Sequence, residues 1–120
     1  MSNLRYSIIY AMIRPEISEK ISVGLIIVDG EQLDVRYSRR TLDALQWLIS
    51  EKEFRFVSKV VSQMRRKKRV NTVEEVNYLT RYSNNLIAFS PIQSIDLAPT
   101  VQNKEWLFKN YVYDGLKVAV

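Results

Sequence analysis

Lys20-Ile21-Ser22-Val23-Gly24-Leu25-Ile26-Ile27-Val28-Asp29-Gly30-Glu31-Gln32-Leu33-Asp34-Val35-Arg36-Tyr37 reads as two strands of alternating polarity joined by a tight turn. In the first strand Ile21, Val23, Leu25 and Ile27 face one way, while Lys20, Ser22 and Gly24 face the other, where Ile26 and Val28 close the strand. Asp29-Gly30 supplies a pair that tolerates left-handed backbone, as a short hairpin requires. In the second strand Leu33, Val35 and Tyr37 alternate with Gln32, Asp34 and Arg36, which predicts a half-solvated edge or one-sided strand. Upstream, Tyr6, Ile8, Tyr10 and Met12 alternate with Ser7, Ile9, Ala11 and Ile13, so both faces are mostly apolar and the strand should be central. Pro15 stops it. Together these runs predict an antiparallel meander over positions 5–38.

Downstream the apolar spacing becomes helical. Ser38 or Thr41 can cap a first helix carrying Leu42, Leu45, Leu48 and Ile49, with Ala44 and Trp47 nearby. A second helix over 51–66 aligns Phe54, Val57, Val61 and Met64 in one stripe. Thr72-Val73-Glu74-Glu75 has capping-box form and starts a short helix over 73–82, ended by Asn84-Asn85. Residues 86–89 and 93–97 flank Ser90-Pro91 and read as extended pieces adding a fourth strand, broken at the proline. Thr100 caps a last helix with Val101, Leu107, Phe108, Tyr111 and Val112 on its apolar face and Asp114-Gly115 as its stop; residues 116–120 form a fraying tail or an added edge strand. The expected fold is α+β, one domain over residues 1–120. It has an antiparallel sheet of three N-terminal strands plus a fourth from the C-terminal half, with about four helices packed mainly on one face.

A 120-residue chain with 47% hydrophobic residues can build one core without a disulfide or a structural metal. It contains neither cysteine nor histidine, which removes zinc-ribbon sites, cysteine nucleophiles, Ser-His-Asp triads and histidine acid-base chemistry. No apolar run reaches the roughly 18 residues of a membrane span. Met1-Ser2-Asn3-Leu4-Arg5 lacks the charged, apolar, small-residue order of a signal peptide, so the expected location is the cytoplasm, away from membranes.

The charge is lopsided. Between Arg36 and Arg69 stand eleven Lys or Arg against three acids, a net +8, while the rest of the chain carries seven cations against ten acids. Arg65, Arg66, Lys67, Lys68 and Arg69 are consecutive at the expected end of the second helix. A helix dipole favours cations there by about 0.3–1 kcal/mol each, which accounts for one or two of them. Lys52, Arg55, Lys59 and Arg66 extend the run as a basic face along the helix, away from the apolar stripe, a surface that would attract phosphates. The bland explanation is a solvated flank. No aromatic residue is interleaved with positions 65–69, and Tyr37, Trp47 and Phe56 read as core or rim, which weakens the case for stacking on bases.

Little else points to chemistry. Glu16 and Glu19, in the turn after the first strand, read as ordinary loop acids or a weak cation site, and no catalytic residue or cofactor is expected. Gly24, Gly30 and Gly115 are isolated, so no phosphate loop is present. Gly24 inside a strand costs stability unless a bulge, a close backbone or a ligand needs the missing side chain. Seven tyrosines suit an interface or a rim equally.

Tyr6-Ser7-Ile8-Ile9, then Pro15, then Glu19-Lys20-Ile21-Ser22-Val23-Gly24 with the aliphatics after it resembles the opening of a bacterial domain-of-unknown-function family, number three thousand and thirty-seven. Ile87-Ala88-Phe89-Ser90-Pro91-Ile92 and Leu107-Phe108-Lys109-Asn110-Tyr111-Val112 are similar to two later segments of that family. The family commonly places Asn before Val-Gly, where this chain has Ser22. The resemblance implies the fold, a bacterial or phage origin, Glu19, Ser22 and Gly24 as motif positions, and an accessory role beside kinase-like proteins or in a toxin-antitoxin pair.

Three functional expectations result, and the balance leans away from an enzyme. The first is a non-enzymatic interaction module for a protein partner not identified by sequence, with a homodimer as one form of it. The second is nucleic-acid binding through Arg55, Lys59, Arg65, Arg66, Lys67, Lys68 and Arg69. The third is a small-ligand site or enzyme near Glu19, Ser22 and Gly24.

Overall fold

The computed structural model describes residues 3–65, 72–81 and 86–112. Three antiparallel strands, β1 (Arg5–Arg14), β2 (Glu19–Asp29) and β3 (Gln32–Tyr37), form the expected meander. β1 is central and β3 is an edge, as their polarity requires. Pro15 opens a single 3-10 turn, Pro15–Ile17, and Ser18 takes a left-handed conformation, φ 56°, to turn the chain into β2. The second hairpin closes on Asp29 opposite Gln32, so its turn pair is Gly30-Glu31, one residue later than Asp29-Gly30. Gly30, at φ 61°, occupies the position where a side chain would be strained. Asp29 stays in the strand, where its carboxylate accepts from Lys104 Nζ at 3.1 Å.

A β-bulge resets the phase of β2. Ile9 lies opposite Gly24 but Tyr10 lies opposite Ser22, which leaves Val23 as the extra residue. Strict alternation would place Ile21 and Val23 with Leu25 and Ile27. Instead Ile21 and Val23 join Ile26 and Val28 on one face, and Leu25 and Ile27 occupy the other. Gly24 permits this. A β-carbon there would stand 2.7 Å from the carbonyl oxygen of Arg36 and 3.2 Å from both Ile9 Cδ1 and Tyr37 Cβ, so backbone of β3 fills the space a side chain would need.

Helices cover both faces unequally. Ser38 Oγ accepts from Thr41 N and starts α1 (Arg39–Ala44), with Thr41 itself buried. That helix ends early in a 3-10 turn, Leu45–Trp47, so Leu48 of the expected apolar row is exposed, while Ile49 still packs half-buried against the core. Ser50 and Glu53 cap one another's amides and begin α2 (Glu51–Arg65), which buries Val57, Val60, Val61 and Met64 and half-buries Phe54. Thr72 Oγ1 accepts from Glu75 N and caps α3 (Val73–Arg81) as expected, while the Glu75 carboxylate accepts from the Thr72 hydroxyl. These three helices pack with Ile9, Val23, Ile26, Val28, Leu33 and Val35. On the opposite face α4 (Val101–Tyr111), capped by Thr100, packs Leu107, Phe108, Tyr111 and Val112 against Leu4, Tyr6, Leu25 and Ile27. Val101, expected on that apolar face, is exposed.

The C-terminal half returns two short strands, β4 (Ile87–Phe89) and β5 (Gln93–Ser94), and both pair with β1 on the side away from β2. The expected fourth strand is thus broken at Ser90-Pro91. The stops at Asn84-Asn85 and Asp114-Gly115 and the tail 116–120 lie outside the described residues. No helix among the described residues is long and apolar enough to cross a membrane.

Gly24→Ala is expected to cost about 1–3 kcal/mol, the usual range for forcing an extra carbon into filled space. Denaturant unfolding of the two proteins measures the difference. A neutral substitution would mean that the backbone of β3 does not close on residue 24.

Candidate functional site

Of the cations singled out by sequence, three fall on one exposed flank. Lys52, Arg55 and Lys59 are exposed on α2, opposite the buried Val57, Val60, Val61 and Met64. Arg55 is paired with Glu51 one turn earlier, and such exposed pairs contribute little. Arg65, at the end of α2, is exposed and stands 5.9 Å from the Tyr37 ring centroid. Arg66, Lys67, Lys68 and Arg69 lie outside the described residues. Two aromatic residues read from sequence as core or rim are exposed: Trp47 at 82% and Phe56 at 39%, the latter between Lys52 and Lys59 on the same flank.

Glu19, Ser22 and Gly24, the positions singled out by the resemblance, have different surroundings in the fold. Glu19 accepts two hydrogen bonds from Arg14, from Nε and Nη2 at 2.8 Å each, across the closing turn of the first hairpin. Those bonds from the guanidinium hold the Glu19 carboxyl below the ordinary carboxylate range. Glu16 is exposed on the 3-10 turn, and Ser22 is half-buried opposite Tyr10. Gly24 faces the Arg36 carbonyl, so its missing side chain leaves room for β3. Among the described residues no cluster of three or more Asp or Glu side chains is placed to hold a metal ion.

The two edges of the sheet are built differently. On the far side β4 and β5 are short, and Pro91, which has no N–H to offer, lies between them. Ser90 bridges the break: its N–H donates to Ile8 O at 2.9 Å, its Oγ accepts from Ile8 N at 2.7 Å, and its carbonyl accepts from the buried Ser7 hydroxyl at 2.7 Å. Short strands and an edge proline discourage further pairing.

Among the described residues β3 lacks such protection. The bond from Ser38 N to Val23 O, 2.9 Å, sets the ladder phase, so Arg36, Asp34 and Gln32 bond inward to β2. Leu33, Val35 and Tyr37 therefore turn their N–H and C=O groups outward, away from the sheet. These groups face an open groove of about 890 Å³ that runs the length of β3. Arg65 of α2 borders it on one side, and Lys104 and Phe108 of α4 border it on the other. Arg36 Nε donates to Asp34 Oδ2 at 2.8 Å on the α4 side of the strand. Lys104 and Phe108 carry no local sequence signal for this groove. They reach it only because α4 crosses to the second face of the sheet.

No protein-family model matches this chain, and no curated protein or solved structure matches it.

Ser90→Ala should destabilise the protein by about 1–3 kcal/mol, because Ile8 N–H loses its acceptor inside the sheet. Thermal or urea unfolding reads the loss, and an unchanged midpoint would mean that water replaces the hydroxyl freely.

Proposed function

We propose that this protein is a non-enzymatic interaction module that receives an extended strand of a protein partner along β3. The observation that carries this reading is the row of outward backbone groups at Leu33, Val35 and Tyr37 beside an open groove. Strand addition uses such an edge: main-chain bonds supply affinity, and alternate side chains of the incoming strand meet the groove walls. Here the walls offer the Phe108 ring and the cations Arg65 and Lys104, so a strand bearing an apolar residue and a carboxylate fits best. The family resemblance adds an accessory role to this reading, with a kinase-like protein as one such partner.

Panning short random peptides against the protein should select sequences that bind the native chain and Tyr37→Phe alike. Tyr37→Pro removes one outward N–H while sparing the ladder to β2 and should weaken these peptides about tenfold. Failure to select any peptide, or equal binding to Tyr37→Pro, would overturn the proposal.

A second reading rests on the exposed Trp47 and on Phe56 set between Lys52 and Lys59. Cations with exposed rings are what single-stranded nucleic acid needs. Neutralising Lys52, Arg55 and Lys59 together should reduce the salt slope of oligonucleotide binding by about two units. An unchanged slope would remove this reading.

A further inference from the structure

β3 is self-complementary in one register. Resting on the reading of this edge as an interaction surface, we infer that its occupant is β3 of a second copy of the same chain, paired antiparallel about a two-fold axis through Val35. Outward-bonding residues must oppose outward-bonding residues, which restricts the axis to three registers that pair at least two outward residues of each strand. An axis at Asp34 sets two aspartates face to face, and an axis at Arg36 sets two arginines face to face. An axis at Val35 avoids both. It places Val35 opposite Val35 and Leu33 opposite Tyr37, engaging every outward donor and acceptor of both strands.

The same register puts Asp34 of each copy opposite Arg36 of the other, on the face that carries α4. These are non-hydrogen-bonded positions, where cross-strand side chains lie closest, and opposite charges there favour pairing while like charges oppose it. The intrachain Arg36–Asp34 pair, 2.8 Å apart, becomes part of a four-charge row that alternates in sign across the axis. The groove beside β3 leaves that edge open to an incoming strand. Leu33 and Val35 are already buried within the single chain, so pairing adds little apolar area and rests on backbone bonds and charge order. The dimer is accordingly concentration-dependent.

Sedimentation or light scattering across a concentration series tests this. The native chain should rise from its monomer mass of 14.1 kDa toward about twice that value. Asp34→Arg and Arg36→Asp each place like charges on both rungs and should remain monomeric. An equimolar mixture of the two variants restores opposite charges and should dimerise, as should the double exchange D34R/R36D. Recovery in the mixture also shows that both variants are folded. A native chain that stays monomeric throughout, or single variants that dimerise as the native chain does, would overturn the inference. In that event peptide binding that still depends on the Tyr37 N–H leaves the interaction module standing, and its absence removes both.

Discussion

The carbonyl oxygen of Arg36 sits 2.7 Å from where a β-carbon on residue 24 would be, and the architecture of the sheet is arranged around that contact. With glycine at this position the extra residue Val23 can be accommodated as a bulge, and β2 changes phase halfway along its length. The change delivers Ile21 and Val23 to the same face as Ile26 and Val28, under α1, α2 and α3. Without it those two side chains would point at the face that α4 covers only in part. The bulge also lies at the start of the β2–β3 ladder and so fixes which residues of β3 bond inward.

The remaining construction follows from one sheet buried on both sides. Three helices supply the larger core, and α4 alone supplies the smaller one through Leu107, Phe108, Tyr111 and Val112. Tyr6 belongs to the smaller core and still reaches a polar partner, its hydroxyl lying 2.8 Å from Gln93 Oε1, while its ring stacks on Tyr111. Ser7, buried on the other face, gives its hydroxyl proton to the Ser90 carbonyl. The buried Tyr6 and Ser7 of β1 thus each have a named acceptor, which lets the strand stay central despite their hydroxyls.

Much of this was legible in the residues. The two-sided polarity of β1, the one-sided polarity of β3, the caps at Ser38, Thr72 and Thr100 and the break at Ser90-Pro91 each depend on local chemistry that a sequence displays. What escaped local reading depends on distant neighbours. The bulge at Val23 appears only when β1 and β3 are both placed beside Gly24, and its sign in the sequence was a glycine with three explanations open, a bulge, a close backbone or a ligand. Trp47 was expected near the core because it follows a helical row, but α1 ends at Ala44 and the chain turns it outward. Ser50 and Glu53 made a legible cap that the helix pattern alone did not require. For the groove, the edge strand was readable, whereas Lys104 and Phe108 could be assigned to it only after α4 was seen on the second face.

The functional account turns on a single property, the direction of the main-chain groups of β3. Hydrogen exchange resolved at single amides in dilute protein measures it most directly. Asp34, Arg36 and Ser38 should exchange slowly while Leu33, Val35 and Tyr37 exchange fast, an alternation inherited from the Ser38–Val23 bond. Uniform slow exchange along the strand, or the opposite alternation, would contradict the phase of the ladder and with it the open edge on which both the interaction module and its pairing register depend.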